Sequence, residues 1–302
     1  MRIAAEVGAD RVELATALAL GGLTPSPATL ELAVEAAGAD GPEVHVLIRP
    51  RAGGFHYTED ELVVSERDVR RAVAAGAAGV VSGALDAEGR LDLFAMARLR
   101  DAAGGAPVTL HRAIDVTADP VATLQSAREL GLRRVLTSGG ASAAIDGIEM
   151  LRALVAAAEG EIEIMAGSGV DVTSAPVLAA AGVDAIHFSA KRAVTEDGGV
   201  RMGSASDGVG GYEVTDRDIA FAIRDALDAH GRCVLEVDLR PDLGVDQLTD
   251  RLAHRRPRDS VSTWLRRSIG LDPVAIGLLR EAGGGGVPVD AARMALAQQA
   301  AM

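Results

Sequence analysis

Cysteine is almost missing from this sequence, which holds a single one, Cys233, among 302 residues. One thiol cannot form an internal disulfide, and alone it cannot build the thiolate cage that Cu(I) prefers. Aromatic residues are also scarce, at 2% of the chain. We therefore expect a core of Ala, Val, Leu and Ile in close contact rather than one built around large rings.

Long hydrophobic runs and net positive charge are lacking as well. Charged residues interrupt every apolar stretch before it reaches the length of about 18 residues that a membrane-spanning helix needs. The first residues carry charges where a secretory signal peptide has its apolar core. The formal net charge of −13 opposes binding to nucleic acid and to anionic membranes. These absences favour a cytoplasmic protein without nucleic-acid or membrane partners.

Short segments rich in Val and Ile alternate with Ala- and Leu-rich stretches whose apolar residues recur every three or four positions. This alternation is typical of the strand–helix units of a parallel α/β sheet. The sequence predicts seven strands, at 11–14, 44–49, 79–85, 108–114, 134–138, 162–167 and 185–189. Their regular spacing predicts a (β/α)8 TIM-type barrel, which needs an eighth strand.

Several strings in the sequence point to a known family. They are GADRVEL, GGLTPS, HVLIRPRAGGFHYTEDEL, SGALDAEGRLD, TLHRAIDVTADP, LGLRRVLTSGG, IMAGSGV and HFSAKR. Their order and spacing resemble the CutC family from residue 2 to about residue 192. The resemblance implies one TIM-type barrel, usually oligomeric, with a role in copper homeostasis and copper-ion binding. A Cu(I)-binding member would present cysteines near the barrel mouth, whereas this chain has Ala15 where the family commonly has one.

The resemblance also shows that the family's first strand is absent from the N-terminus of this sequence. The segment Val234–Leu239 has the pattern of that strand, so one interpretation is that it fills the missing position, as in a permuted barrel. The alternative is that residues 231–302 form a C-terminal extension, a small helical appendage, and that the gap stays open or a partner chain closes it. Residues 1–230 form the CutC-like barrel in either case. Unpaired edges in an open parallel sheet favour closure.

Polar residues gather at the carboxyl ends of the predicted strands, where the active sites of TIM barrels lie. Strand alternation puts His45 and Arg49 on one face, and Arg51 keeps that parity. Two guanidiniums beside one cleft would clamp a carboxylate or a phosphate. The alternative is that they neutralise Glu13 and Asp86 within the barrel.

A histidine, His111, ends another predicted strand, with Asp115 shortly after it. A histidine at this position acts as a general acid or base, or binds a metal through a neutral nitrogen. We therefore predict Glu13, His111 and Asp115 as catalytic candidates, with Glu13 and His111 as the acid–base pair. The candidate metal ligands are Glu13, His45 and His111. The alternative is a structural histidine that bonds to Asp115 or to a backbone carbonyl.

Three glycine-containing loops follow predicted strands, and their backbone N–H groups would cradle an anion. Glycines also make ordinary strand–helix turns, which is the alternative for each loop taken alone. The predicted ligand-binding residues are Arg49, Arg51, Arg112, Ser138, Gly139, Gly167, Ser168, Gly169 and Ser189. The expected partner is a small anionic or phosphorylated, sugar-like ligand. Lyase or isomerase activity on such a ligand is the alternative to copper handling.

A third hypothesis concerns assembly. Trp264 and an Arg-rich face in residues 231–302 have the composition of an interface, because aromatic and Arg side chains are favoured there. The barrel would then serve mainly as a scaffold for oligomerisation. We expect a homo-oligomer on this hypothesis and on the family resemblance alike.

Overall fold

The structure is a computed structural model that describes residues 1–195, 211–229 and 234–239. All of these residues belong to one compact unit, Met1–Leu243. A second unit, Gly244–Met302, lies outside the described residues, as do Cys233 and Trp264. The predicted roles of the extension and of its Arg-rich face therefore stay predictions.

The described residues form ten strands, eight of which are parallel and close into a barrel. In chain order the strands are β1 (Arg11–Leu14), β2 (Glu43–Leu47), β3 (Gly79–Ser82), β4 (Val108–Leu110), β5 (Arg134–Thr137), β6 (Glu163–Gly167), β7 (Ala185–Phe188), β8 (Lys191–Thr195), β9 (Gly211–Thr215) and β10 (Val234–Leu239). Strands β8 and β9 form a separate antiparallel pair, and the other eight form the barrel. The predicted TIM-type barrel is confirmed.

Helices cover the outside of the barrel. They are α1 (Arg2–Glu6), α2 (Pro27–Ala37), α3 (Glu59–Ala74), α4 (Leu93–Ala102), α5 (Pro120–Glu129), α6 (Ile148–Ala158), α7 (Ser174–Ala180) and α8 (Arg217–Asp228). Side chains of capping residues fix where several of them begin, because they accept hydrogen bonds from N–H groups of the first turn. These residues are Ser26, Thr58, Asp92, Asp119 and Asp216. Among the described residues, no helix has the length and apolar character needed to cross a membrane.

Strand β10 lies between β1 and β7, so the last barrel strand in the chain sits beside the first. Its register places Glu236 beside Arg11 on one side and beside His187 on the other. Leu235 and Val237 point outward into the main hydrophobic core. The prediction that Val234–Leu239 supplies the missing strand is confirmed, and the alternative of an open gap is wrong.

The main hydrophobic core lies between the strands and the helices. Its largest fully buried side chains are aliphatic or Met, as in Ile48, Leu99 and Leu151. Met96 is among them and packs in this core. This agrees with a sequence poor in aromatic residues and rich in Ala, Val, Leu and Ile.

The interior of the barrel holds buried charged and polar side chains beside two small apolar clusters. In a TIM-type barrel, the inward-facing residues of every second strand lie at the same height and form a layer of four. Because the strands are tilted, a residue at the same height on the next strand is shifted by about one position from the hydrogen-bonded partner. Following the strand registers gives four layers, which we call basal, lower, middle and upper towards the carboxyl ends. They hold Arg11, Gly79, Arg134 and Ala185 (basal); His45, Thr109, Met165 and Glu236 (lower); Glu13, Val81, Leu136 and His187 (middle); and Leu47, His111, Gly167 and Asp238 (upper).

Candidate functional site

A network of ion pairs fills the base of the barrel. Arg11 donates to Glu236 at 2.9 Å and to Glu163 at 2.6 Å, and Arg134 pairs with Glu163 at 2.9 Å. Burial alone would raise the pKa of Glu163, but hydrogen bonds and positive charge from Arg134 and Arg11 lower it. The charges at the base therefore neutralise one another.

His187 in the middle layer is held between two carboxylates of β10. Its Nδ1 lies 3.1 Å from Glu236, and its Nε2 lies 2.8 Å from Asp238. Burial alone would lower the pKa of His187, but the charges and hydrogen bonds of Asp238 and Glu236 raise it well above its ordinary value. The two carboxylates therefore favour the protonated form of His187.

Glu13 lies beside His187 and differs from the other buried acids. Burial raises its pKa to about 8, and the negative charges of Asp238 and Glu236 act in the same direction, while His187 opposes them. Its Oε2 atom is buried without a hydrogen-bond partner among the described residues. One donor atom each of Glu13, His187 and Glu236 lie within 4.8 Å of one another. At neutral pH, Glu13 is a neutral acid in a compact group of metal-ligating side chains.

His45 lies in the lower layer, one layer below Glu13, and its ring occupies space that Gly79 leaves open. A Cβ atom on Gly79 would lie 2.5 Å from the Cε1 atom of His45. Its Nε2 is 3.2 Å from Glu43, and burial lowers its pKa. His45, predicted as a metal ligand, thus lies beneath the group that contains Glu13.

His111 in the upper layer has a defined tautomer. Its Nδ1 accepts a hydrogen bond from the N–H of Ala113 at 3.1 Å, and burial lowers the pKa of His111 to about 4. The ring is therefore neutral with its proton on Nε2, a buried atom that has no partner among the described residues. The ring lies over Gly83, whose added Cβ would be 2.6 Å away. His111 thus presents a hydrogen-bond donor at Nε2, and its predicted acid–base role stays a prediction.

Arg49 follows β2 at the mouth and is 6% exposed. Its guanidinium donates to the carbonyls of Leu20, Gly22 and Gly53 at 3.0, 2.9 and 2.7 Å. The described residues offer it no carboxylate within ion-pair distance. Its positive charge is close enough to Tyr57 to oppose the rise in the pKa of that phenol that burial causes. Arg49 therefore fixes two loops and keeps an uncompensated charge.

Phe55 joins Arg49 to His111. The Arg49 guanidinium lies 5.4 Å from the centre of the Phe55 ring, and the rings of Phe55 and His111 are 4.8 Å apart. The cation also contributes to the lowered pKa of His111. The structure therefore brings these two predicted residues together.

Arg51 does not share this environment. Its guanidinium pairs with Glu61 and donates to backbone carbonyls, including that of His56 at 2.8 Å. The alternative that Arg49 and Arg51 neutralise Glu13 and Asp86 is wrong. The charges near Glu13 are those of His187, Asp238 and Glu236, and Asp86 pairs with Arg90.

Asp115 ties the 3-10 turn Arg112–Val116 to the loop after β5. Its carboxylate accepts from Arg112 at 2.7 Å, from the Ser138 hydroxyl at 2.9 Å and from the N–H of Gly140 at 3.1 Å. Arg112 also donates to the Ser138 hydroxyl at 2.9 Å. The alternative, a structural His111 bonded to Asp115 or to a backbone carbonyl, is wrong, because Nδ1 of the ring accepts from the N–H of Ala113 instead. A catalytic role for Asp115 stays a prediction.

The glycines of the predicted anion loops have distinct structural roles. A Cβ atom on Gly139 would lie 2.3 Å from the carbonyl oxygen of Gly147, so two backbones meet there. Ser168 has a φ of 95° and donates to the carbonyl of Ser142 at 2.8 Å. Gly169 lies against Ala143, Gly167 faces the barrel interior, and Ser189 is half-buried. Their contact with an anion stays a prediction.

The sequence offered β10 as a barrel strand in one of two interpretations, but Glu236 and Asp238 were not among the predicted site residues. The signal was present, because the two carboxylates alternate with Leu235 and Val237 and must face the interior when the apolar side chains face the helices. The predicted pair of Glu13 and His111 falls in adjacent layers. The pKa of Glu13 depends on the charges of His187, Asp238 and Glu236, whereas that of His111 depends on Arg49 and Asp115.

The fold and this interior define a TIM-type barrel with a charged core and a polar mouth. The family model for the CutC family matches residues 1–192. A CutC-family protein of Sinorhizobium medicae is 50% identical over 171 residues, which is 57% of this chain and 68% of that protein. Another from Xanthomonas campestris is 44% identical over 210 residues, 69% of this chain and 86% of that protein. The chain belongs to the CutC family, as the sequence predicted.

A solved structure supports the same assignment. The CutC protein of Streptococcus agalactiae, described as a candidate copper homeostasis protein, is 35% identical to this chain with a TM-score of 0.57. The match covers 59% of this chain and 87% of the solved chain.

Proposed function

We propose that this CutC-family barrel binds a small anionic ligand at its mouth, next to Arg49 and His111. One observation carries the proposal. Among the described residues, the buried Arg49 guanidinium has no carboxylate partner, and it contacts the same Phe55 ring as the neutral His111, whose Nε2–H has no acceptor there. Buried charges are normally paired, and a buried donor without an acceptor is unfavourable. An anion satisfies both groups.

The position of these groups agrees with ligand binding. Both follow barrel strands at their carboxyl ends, where TIM-barrel enzymes bind substrates. Phe55 contributes an apolar surface between them. A carboxylate or phosphate oxygen accepting from His111 Nε2 would lie in the field of the Arg49 charge. The ligand class is therefore a small carboxylate or phosphate ester.

Copper handling is the role that the description of the S. agalactiae relative suggests, so we tested whether these residues fit copper. The interior donors are carboxylate oxygens and imidazole nitrogens, and Ala15 lies at the position where a thiol was expected. The thioether of Met165 packs against Leu136 and Ala185. Cu(I) prefers sulfur ligands, so the described residues do not fit it.

Enzymatic action on the bound anion, as a lyase or isomerase, is the second candidate. Glu13 supports it, because this residue holds a proton at neutral pH in the layer directly below His111. A neutral acid beneath a bound carboxylate or phosphate ester is placed to donate a proton to it. A cytoplasmic location and a homo-oligomeric assembly remain part of this proposal.

The test uses inorganic phosphate and malonate as probes, with calorimetry on the metal-free full chain. The variant His111→Asn keeps an oxygen that accepts from the Ala113 N–H, since Asn is a favoured residue at a helix start, but it removes the Nε2 donor. We expect at least tenfold weaker binding of one probe. Arg51→Lys is the matched control, because Arg51 lies outside the mouth, and it should bind as the wild type does.

Two results would overturn the proposal. One is that neither probe binds the wild-type chain at millimolar concentration. The other is that His111→Asn and the wild type bind equally well. Tight binding of Cu(I) in competition with a chelator would instead support copper handling.

A further inference from the structure

We propose that Glu13, His187 and Glu236, with Asp238 beside them, form a binding site for one divalent cation, Zn²⁺ or Mn²⁺. The three donors come from neighbouring strands, β1, β7 and β10. One donor atom of each lies within 4.8 Å of the others, and all three residues are at least nine-tenths buried. Carboxylate oxygen and imidazole nitrogen are ligands that these two cations accept.

The Oε2 atom of Glu13 is the second observation. It is buried in the same group, in a residue only 6% exposed, and no atom of the described residues forms a hydrogen bond with it. A carboxylate oxygen has two lone pairs, and leaving them unused in a buried position is unfavourable. Coordination of a cation uses this oxygen without rearranging the strands.

Neighbouring side chains also orient the residues that would bind the cation. Arg11 holds Glu236 through Oε2 at 2.9 Å and leaves Oε1 directed at His187. Such contacts to metal-ligating carboxylates fix their orientation and strengthen metal binding. The cation would lie below the proposed anion site at the mouth, where its positive charge would attract the bound anion. The metal site does not depend on that proposed function.

The experiment titrates chelator-treated full chain with ZnCl₂ and, separately, MnCl₂ by calorimetry. The key variant is Glu13→Gln, because Gln has the shape of protonated Glu13 and keeps the fold of the metal-free protein. We expect one equivalent bound by the wild type and at least hundredfold weaker binding in Glu13→Gln. The control is Glu43→Gln, which removes an acid that contacts His45 but not the donor group. It should bind like the wild type.

Circular dichroism of Glu13→Gln verifies that the variant is folded. The proposal is overturned if neither metal binds the wild type, or if Glu13→Gln binds it with unchanged affinity. A loss that Glu43→Gln shares would overturn it too. Phosphate binding measured without metal, and its loss in His111→Asn, are separate readouts, so the two proposals fail independently.

Discussion

The base and the mouth of the barrel treat buried charge in opposite ways. At the base, Arg11 and Arg134 each pair with carboxylates at 2.9 Å or less. At the mouth, Arg49 donates to three backbone carbonyls and has no carboxylate partner among the described residues, and His111 stays neutral. The base completes its own electrostatics, whereas the mouth leaves a positive charge and a donor for something else. The comparison assigns a stabilising role to the base and supports the anion binding that we propose at the mouth.

The largest expected loss of stability comes from removing a carboxylate of the ion-pair network at the base of the barrel. Glu236→Gln removes the charge that faces both Arg11 and His187, and loss of one partner in a buried ion pair costs about 3–5 kcal/mol. We expect urea unfolding to show a loss of this size. Glu59→Gln removes an exposed partner of Arg98 and should cost less than about 1 kcal/mol. Equal effects of the two variants would refute the distinction.

A smaller effect is expected when His111 is displaced at the mouth. In Gly83→Ala the new Cβ would lie 2.6 Å from ring atoms of His111, and overpacking of this kind costs about 1–3 kcal/mol. We expect phosphate binding to weaken together with stability. Gly54→Ala is the control, because a Cβ there meets no atom within 4 Å. Phosphate titration and urea unfolding of both variants check this.

The pH dependence of stability sharpens the comparison further. The pKa of Glu13 in the folded protein, about 8, lies above its ordinary value, so the folded state holds this proton more tightly than the unfolded chain does. Its contribution is therefore lost as the pH rises towards 8, by about 1 kcal/mol between pH 7 and pH 8. Glu13→Gln has no proton to lose, and its urea midpoint should fall less over this range. Parallel pH profiles would contradict the raised pKa.

The smallest effect is expected at Arg51. Its partner Glu61 and its own side chain are partly exposed, so Arg51→Lys should change stability by less than about 1 kcal/mol. Because Arg51 lies outside the mouth, phosphate affinity should stay unchanged. A large loss of phosphate affinity in this variant would restore Arg51 to the site. Calorimetry and urea unfolding measure the two quantities.

The barrel was predictable because strand–helix alternation repeats along the chain, and Val234–Leu239 carried a recognisable strand pattern. Arg49 and His111 were predictable because they end strands. The group around Glu13 was predictable only in part. The alternation of Glu236 and Asp238 with apolar residues indicates two inward carboxylates, but only the strand register brings them beside Glu13 and His187. The tautomer of His111 was also beyond reach, since it depends on one backbone N–H, that of Ala113.

The position of β10 also governs the order in which the protein is completed during synthesis. Strands β1 to β7 leave the ribosome first, and until β10 follows, both edges of the curved sheet are unpaired. In that interval Arg11 and His187 lack Glu236. The nascent chain therefore passes through an incomplete sheet with unmatched charge, which a chaperone or a neighbouring nascent chain can engage. Emergence of residues 234–239 from the ribosome ends this vulnerable stage.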